Sequence, residues 1–255
     1  MNPYLYDLKA EHDDKECRAV ARRKTILHLW RKHGPSVRDT ASLKILEVGC
    51  GTGATLASLN PFGKTFGIDI SPNALRHCRE RGIRRVAQAD GTSLPFADQV
   101  FDLLVTVDVL EHIEDDTETL KQFHRVLKPD GMLLLIVPAF ASLWSSRDIR
   151  LNHKRRYSRQ ELNQKTLASG FAIQKLAYLD ALSFPFLYLW VKSKGLKNPG
   201  VADIRMDVLA LPKPINFILL HIMRLETRLL THFPSPFGVA LLCVARKEAS
   251  PNAGS

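Results

Sequence analysis

The chain reads Lys44-Ile45-Leu46-Glu47-Val48-Gly49-Cys50-Gly51-Thr52-Gly53 between residues 44 and 53. An apolar run of this length is typical of a buried strand, and glycines without a Cβ let the following turn tighten and approach a ligand closely. Asp69 follows Gly49 by 20 residues, where a nucleotide-binding βαβ unit places the carboxylate that holds a ribose. Gly49-x-Gly51-x-x-Ala54 also fits the dinucleotide fingerprint. The turn therefore predicts a nucleotide site without choosing the nucleotide.

Acidic residues end four consecutive apolar runs, and they are Glu47, Asp69, Asp90 and Asp108. The carboxyl ends of parallel strands form the ligand crevice of an open α/β sheet, so these carboxylates are expected to line one site. Such a ring of negative charge would repel a pyrophosphate. It suits the sulfonium, ammonium, ribose hydroxyls and adenine amine of S-adenosylmethionine, because carboxylates bind each of these groups. The charge pattern therefore favours the methyl donor over a dinucleotide.

Four ordered motifs resemble those of the class I S-adenosylmethionine-dependent methyltransferases, in the branch with Asp-Val-Leu-Glu-His after strand four. The motifs are Leu46–Gly53, Gly67-Ile68-Asp69-Ile70-Ser71, Asp90-Gly91-Thr92-Ser93-Leu94-Pro95-Phe96 and Asp108-Val109-Leu110-Glu111-His112-Ile113. The resemblance is close over residues 40 to 140 and loose over the C-terminal strand. It implies a Rossmann-like α/β fold with a seven-stranded, mostly parallel sheet, an antiparallel last strand and an inserted C-terminal cap. It also implies an enzyme of the EC 2.1.1 class.

The resemblance also assigns cofactor-binding residues. It implies that Glu47 and the loop residues Gly49, Cys50, Gly51 and Gly53 contact the methionine end of S-adenosyl-L-methionine. It places Asp69 on both ribose hydroxyls, Asp90 on the adenine amine, Ile70 and Gly91 on the two sides of the ring, and Asp108 beside the sulfonium and the acceptor.

Composition is that of an ordinary globular protein, with 255 residues, 45% hydrophobic and 24% charged. The four cysteines are dispersed and form no CxxC pair, which favours reduced thiols in a cytoplasmic protein and argues against a zinc site. We expect no metal-ligand cluster. No signal-like or membrane-spanning apolar run is found, and peripheral membrane contact stays open.

The net charge of +10 is compatible with a nucleic-acid or anionic-membrane partner, or with a solvated basic surface. Basic residues crowd between Arg147 and Arg159. Arginine–glycine repeats and interleaved aromatics are missing, so no nucleic-acid partner is expected.

The pattern along the chain predicts three regions. Residues 1–39 are expected to form a helical lead-in, 40–246 the methyltransferase domain with a cap at about 181–235, and 247–255 a disordered tail. Strands are predicted near 44–48, 65–69, 85–88, 102–107, 132–137, 171–179 and 238–246, with a turn at 128–131. Ser71, Asp115 and Ser158 are predicted helix N-caps.

Two histidines are candidates for a general base, which a hydroxyl acceptor would need. His112 follows Asp108 by four residues, and His153 lies in the segment from Trp144 to Tyr157. A segment combining such polar groups is expected to lie outside the core, over the acceptor pocket. From it we predict Tyr157 as a further catalytic residue. We predict Trp144, Asp148, Arg155 and Arg156 as acceptor-binding residues, the arginines suiting an anion.

Each of these assignments has a structural alternative. His112 can be a hydrogen-bonding residue at the start of a helix, and the segment containing His153 can be an exposed basic loop. Apolar stretches at 181–191 and 215–223 can line a pocket for a hydrophobic tail, contact a membrane, or pack a cap on the sheet.

The sequence therefore predicts in-line methyl transfer to a small-molecule acceptor, with an anionic, prenylated or lipid-linked acceptor as the narrower hypothesis. The alternatives are a nucleic-acid or protein methyltransferase, a non-catalytic scaffold that keeps the cofactor fold, and an NAD-dependent oxidoreductase. The residues leave open whether oxygen, nitrogen or carbon is methylated, and they do not indicate an oligomeric state.

Overall fold

The structure is a computed structural model that describes residues 3–35, 42–182 and 235–248, with short pieces at 184–185, 188–189, 217–218, 220–223 and 225–226. The helices are α1 Pro3–His12, α2 Cys17–His33, α3 Ala54–Leu59, α4 Pro72–Glu80, α5 Asp116–Val126, α6 Ser146–Arg150 and α7 Arg159–Ala168. The strands are β1 Lys44–Val48, β2 Lys64–Asp69, β3 Val86–Gln88, β4 Phe101–Val107, β5 Leu127–Pro138, β6 Phe171–Leu179 and β7 Ala240–Lys247. Short 3-10 turns lie at Asn60–Phe62, Leu110–His112 and Ala141–Leu143.

The seven strands form one sheet in the order β3-β2-β1-β4-β5-β7-β6. Strands β1 to β5 pair in parallel, and β7 is antiparallel to both β5 and β6. The predicted mostly parallel sheet with an antiparallel last strand is confirmed. Val48 pairs with Ile68 on one side and Thr106 on the other, so β1, β2 and β4 end at nearly the same level. Their acidic ends therefore meet at one edge.

Both faces of the sheet are buried. Leu133 and Leu135 of β5 pack into one apolar cluster, whereas Met132 and Leu134 pack into the other. This alternation follows from the two-residue period of a strand. A parallel sheet covered on both faces has apolar residues at nearly every position, which is why the strands read as continuous apolar runs.

The predicted N-caps of three helices are confirmed. Ser71 accepts a hydrogen bond from the Ala74 N–H, and Pro72 begins α4. Asp115 caps α5 and Ser158 caps α7 in the same way. These side chains satisfy backbone N–H groups that a helix leaves unpaired at its first turn.

The start of β5 differs most from the prediction. The predicted turn at 128–131 lies inside β5, which begins at Leu127. Asp130 has a φ of 61°, and the pairing of β4 with β5 shifts register between Phe101 and Leu103. The turn residues therefore produce a local irregularity within the strand.

Most of the predicted cap at 181–235 and most of the predicted tail lie outside the described residues. Within the described part, no helix has both the length and the apolar character needed to cross a bilayer.

Candidate active site

The glycine turn is fastened to the end of β2. The N–H groups of Gly49 and Cys50 both donate to the Ile68 carbonyl, at 2.8 and 3.0 Å. Gly49 has a φ of +72°, and a Cβ there would lie 2.2 Å from Cγ2 of Val109. Gly51 has a φ of +53°, and its Cβ would meet no described atom within 4 Å. Gly49 is thus required by packing, whereas Gly51 leaves open space over the turn.

Asp69 lies directly beside this open space. Its carboxylate accepts hydrogen bonds from the N–H groups of Gly51 and Ser71, both at 2.9 Å, and from the Tyr6 hydroxyl at 3.4 Å. A carboxylate has about four lone-pair sites, so these three donors leave capacity for a ligand hydroxyl. The next residue, Ile70, is 66% exposed. An anchored acid beside an exposed apolar side chain fits a nucleoside.

Asp90 lies one strand further along the edge. It is exposed, and its Oδ1 accepts from the Thr92 N–H at 2.9 Å. A Cβ on Gly91 would approach Cγ1 of Val48 to 3.2 Å. Asp90 is therefore available to a ligand, and Gly91 keeps the backbone close to the end of β1.

Glu47 is buried beneath the turn, close to the Thr55 side chain and the Leu56 backbone at the start of α3. Burial raises the pKa of Glu47 well above its usual range. Gly53 precedes α3 with a φ of +79°. Cys50 is also buried, and its Sγ lies 3.9 Å from that of Cys78. The conformation of the glycine turn is therefore supported by Glu47, Gly53 and the Cys50 thiol.

The N-terminal lead-in lies over the same edge. Besides the contact of Tyr6 with Asp69, the Thr52 hydroxyl donates to Asp13 and the Arg22 guanidinium donates to Asp108. Burial works to raise the pKa of Asp108, but the positive charges around it, chiefly Arg22 together with Arg18 and Lys9, outweigh burial and lower that pKa to about 2. The lead-in therefore holds Asp108 as a carboxylate.

Backbone hydrogen bonds bring both candidate histidines together. The Lys154 N–H donates to the Glu111 carbonyl at 2.7 Å, and the His153 N–H donates to the Asp148 carbonyl at 2.8 Å. The His112 and His153 rings meet edge to face with centroids 4.8 Å apart. Nδ1 of His153 lies 2.9 Å from Asp148 Oδ1. The carboxylate thereby fixes the orientation of that ring.

Glu111 was not among the predicted site residues, yet it completes this group. One ligand atom each from Glu111, His112 and His153 lies within 4.8 Å of the others. Glu111 is fully buried, and neither carboxylate oxygen has a hydrogen-bond partner among the described residues. Burial raises its pKa well above the usual range, while burial and the nearby His153 lower the pKa of His112 to about 4. The expectation that no metal-ligand cluster would form is therefore wrong for these three side chains.

The prediction that the segment from Trp144 to Tyr157 lies outside the core is wrong for Asp148 and Tyr157, which are buried, whereas most of the segment is half-buried or exposed. Tyr157 is fully buried, and its hydroxyl donates to Asp116 at 2.8 Å. Arg155 donates to Asp116 at 3.0 Å, and Arg156 donates to the buried Asp148 at 2.8 Å. These charges are matched within the protein, so the predicted anion site at the two arginines is not formed. Burial and Asp116 raise the pKa of Tyr157, and its buried hydroxyl already donates to Asp116, so this arrangement does not support a catalytic role for it.

Trp144 is the one predicted acceptor-binding residue of this segment that carries no charge. It is half-buried, and its backbone N–H donates to the Ala141 carbonyl at 3.0 Å, which closes a 3-10 turn.

Aromatic rings gather where β5 and β6 end. Phe140 stacks on Tyr178 at 4.9 Å and contacts Phe184 at 5.3 Å, and Phe237 lies 5.4 Å from Phe184. Phe237 is 40% exposed. This group, here called the aromatic cluster, was not predicted because its members are far apart in sequence. It gives the edge an apolar region beside the charged one.

Comparison with known sequences identifies a methyltransferase domain at residues 46–135. The chain is 40% identical over 92 residues to the human mitochondrial arginine-hydroxylase NDUFAF5, a match covering 35% of this chain and 27% of that protein. It is 30% identical over 132 residues to demethylmenaquinone methyltransferase of Staphylococcus epidermidis, covering 46% of this chain and 55% of that protein. The chain thus spans between about a quarter and about half of these two relatives.

Comparison with solved structures shows the same fold. A putative sarcosine dimethylglycine methyltransferase from Galdieria sulphuraria superposes with a TM-score of 0.61 at 15% identity, covering 90% of this chain and 86% of that one. A putative methyltransferase from the Haloferax volcanii Trm112 activator complex superposes with a TM-score of 0.56 at 18% identity, covering 93% and 98%.

Proposed function

We propose that this chain, whose residues 46–135 match a methyltransferase domain, is a class I S-adenosylmethionine-dependent enzyme that moves a methyl group from S-adenosyl-L-methionine to a small-molecule acceptor. When bound, the cofactor supplies a methyl group on a sulfonium, which a nucleophile can attack in line. The chain's own part is to hold both molecules, to align them and to exclude water.

The observation that carries the proposal is the pairing of Asp69 with the open space at Gly51. The Gly51 and Ser71 N–H groups hold the carboxylate in place, and charge-assisted hydrogen bonds to ribose hydroxyls are stronger than neutral ones. Exposed Ile70 and Asp90 then offer an apolar surface and an acceptor oxygen to the base. The described residues therefore fit the cofactor.

The acceptor is proposed to lie between Asp108, the two histidines and the aromatic cluster. This region follows the carboxyl ends of β4, β5 and β6, where ligands bind in open α/β sheets. Aromatic side chains favour an acceptor with a ring or an apolar tail. The relative named demethylmenaquinone methyltransferase supports the narrower hypothesis of a prenylated aromatic acceptor.

The donor-binding half is tested by titration calorimetry of the whole chain with S-adenosyl-L-methionine and with NAD. We expect saturable binding of the first alone. Asp69→Asn should weaken that binding by about tenfold or more, because a charge-assisted hydrogen bond is replaced by a neutral one. The matched control is Asp98→Asn, an exposed acid that precedes β4 at the opposite edge. Binding of NAD instead, or equal affinity in both variants, would reject the proposal.

The acceptor half is tested with donor labelled in its methyl group and a metabolite extract divided into aqueous and organic phases. We expect label in the organic phase. Label in aqueous products alone would reject the apolar acceptor but keep methyl transfer. An absence of transfer to any fraction, despite donor binding, would favour the scaffold alternative.

A further inference from the structure

We propose that Glu111, His112 and His153 bind a divalent transition-metal ion, with Zn²⁺ as the best-suited occupant, on the acceptor side of the site. Two imidazoles and one carboxylate form a common catalytic zinc ligand set that leaves a coordination position for water or substrate. Imidazole ligands also disfavour Mg²⁺ and Ca²⁺, which prefer oxygen.

The separation of the ligand atoms is close to that of a bound site. An ion about 2.1 Å from each ligand needs those atoms roughly 3 to 3.5 Å apart. The three atoms lie within 4.8 Å of one another, and Nε2 of His153 is 3.9 Å from Oε1 of Glu111. A closing movement of about 1 Å would complete the site, which side-chain rotations can provide.

The buried carboxylate of Glu111 is a second observation that points to a bound cation, and it does not depend on the distances between the ligand atoms. A fully buried carboxylate without a partner is costly, and such groups are ordinarily paired or bound to a metal. Neither oxygen of Glu111 has a hydrogen-bond partner in the described residues, although both are shielded from solvent. A cation held with the two histidines would satisfy it.

The surroundings orient the histidines as a metal site requires. Asp148 binds Nδ1 of His153, and the Asn152 carbonyl lies 3.3 Å from Nδ1 of His112. Metal-binding histidines commonly donate their other N–H to a carboxylate or carbonyl in this way, which leaves Nε2 for the ion. Asp148 and the Asn152 carbonyl are therefore positioning groups in this proposal.

Such an ion has a clear use in the proposed reaction. A hydroxyl acceptor bound to it would lose its proton more readily, as metal-bound water does. The proton would pass to solvent water, so that neither histidine, each holding the ion through Nε2, would have to act as the base. Binding of the ion itself needs neither donor nor acceptor.

The test is titration of the chelator-treated, untagged chain with ZnCl₂ by calorimetry, followed by Co²⁺ substitution and visible spectroscopy. We expect one equivalent to bind saturably, to raise the melting temperature and, for Co²⁺, to give ligand-field absorption. Glu111→Gln and His153→Ala should each weaken binding at least about tenfold, since even indirect contacts to such ligands change affinity by about 10–100-fold.

Glu111→Gln guards against a folding artefact, because it keeps the shape of a buried side chain whose carboxyl oxygens have no hydrogen-bond partner among the described residues. Its metal-free melting temperature should equal or exceed that of the unchanged chain. His124→Gln is the matched control, since that ring packs on Phe171 away from the cluster, and it should bind the ion normally.

A chain that binds no Zn²⁺ or Co²⁺ overturns the proposal, as does equal affinity in Glu111→Gln and the unchanged chain, which would place the ion elsewhere. Either result leaves the donor-binding test unaffected. Failure of donor binding with retained Zn²⁺ binding would reject the methyltransferase proposal alone.

Discussion

Asp148→Asn replaces the acid that organises the segment around His153, and it should lower the free energy of unfolding by about 3–5 kcal/mol. Oδ1 of Asp148 accepts from His153 and from Nε of Arg156. Oδ2 accepts from the Ser145 N–H, the Ser145 hydroxyl and Nη2 of Arg156. An amide has a single acceptor oxygen, so at least two of these bonds are lost whichever way it faces. Arg156, with a side chain only 6% exposed, also loses its counter-charge.

A loss of stability of this size follows both from the broken hydrogen bonds and from the broken ion pair. Losing two hydrogen bonds to charged groups costs about 3–6 kcal/mol at about 1.5–3 kcal/mol each. Removing one partner of a buried ion pair costs about 3–5 kcal/mol, mainly because the remaining charge stays buried and unpaired. For a chain of this size, the melting temperature should fall by roughly 6–20 °C.

The assay is urea unfolding followed by circular dichroism, with a chelator present so that bound metal does not contribute. The control is Asp98→Asn, which breaks an Asp–Arg pair of similar length, 2.7 Å to Arg125, at an acid that is 69% exposed. Exposed pairs contribute less than about 1 kcal/mol. If both variants lose the same small amount at an unchanged m-value, the reasoning about burial is refuted.

Two further predictions concern acid sensitivity and the glycine turn. Burial works to raise the pKa of Asp116, but hydrogen bonds from Lys165 and Tyr157 outweigh it and hold that pKa below its usual value. A depressed folded-state pKa gives stability that is present above about pH 4 and lost as the pH falls through the folded pKa. The stability difference between the unchanged chain and Asp116→Asn, measured in urea, should therefore shrink from about pH 6 to about pH 3; a constant difference would contradict this. In the turn, Gly51→Ala should cost only about 1–2 kcal/mol of backbone strain and weaken donor binding, whereas Gly49→Ala should destabilise the fold more because its Cβ meets Val109. Thermal unfolding and donor titration of both variants check this, and equal loss of stability would count against it.

Local signals in the sequence were sufficient for most of the fold. The continuous apolar runs predicted the strands because a sheet buried on both faces needs apolar residues throughout. The cap at Ser71 was predictable because a side-chain oxygen and Pro72 act within one helical turn. The acids at strand ends were grouped correctly because parallel strands share an edge.

The sequence could not predict which side chains pair with residues far away along the chain. The sequence predicts that Arg155 and Tyr157 face a ligand, since no nearby residue in the sequence offers either of them a partner. Their partner Asp116 lies about 40 residues earlier. Glu111 was likewise overlooked, because its importance comes from complete burial next to His153 rather than from its neighbours in the chain.

The position of β7 has a consequence for how the chain is made. Leu241 of β7 pairs with Val137 of β5 on one side and with Tyr178 of β6 on the other. During synthesis, β6 therefore emerges from the ribosome before its neighbour in the sheet exists. Unpaired strand edges are prone to associate with other chains. The nascent protein must keep β6 covered until residues 240–247 appear, so it is most exposed to misassembly while the residues between β6 and β7 are being made.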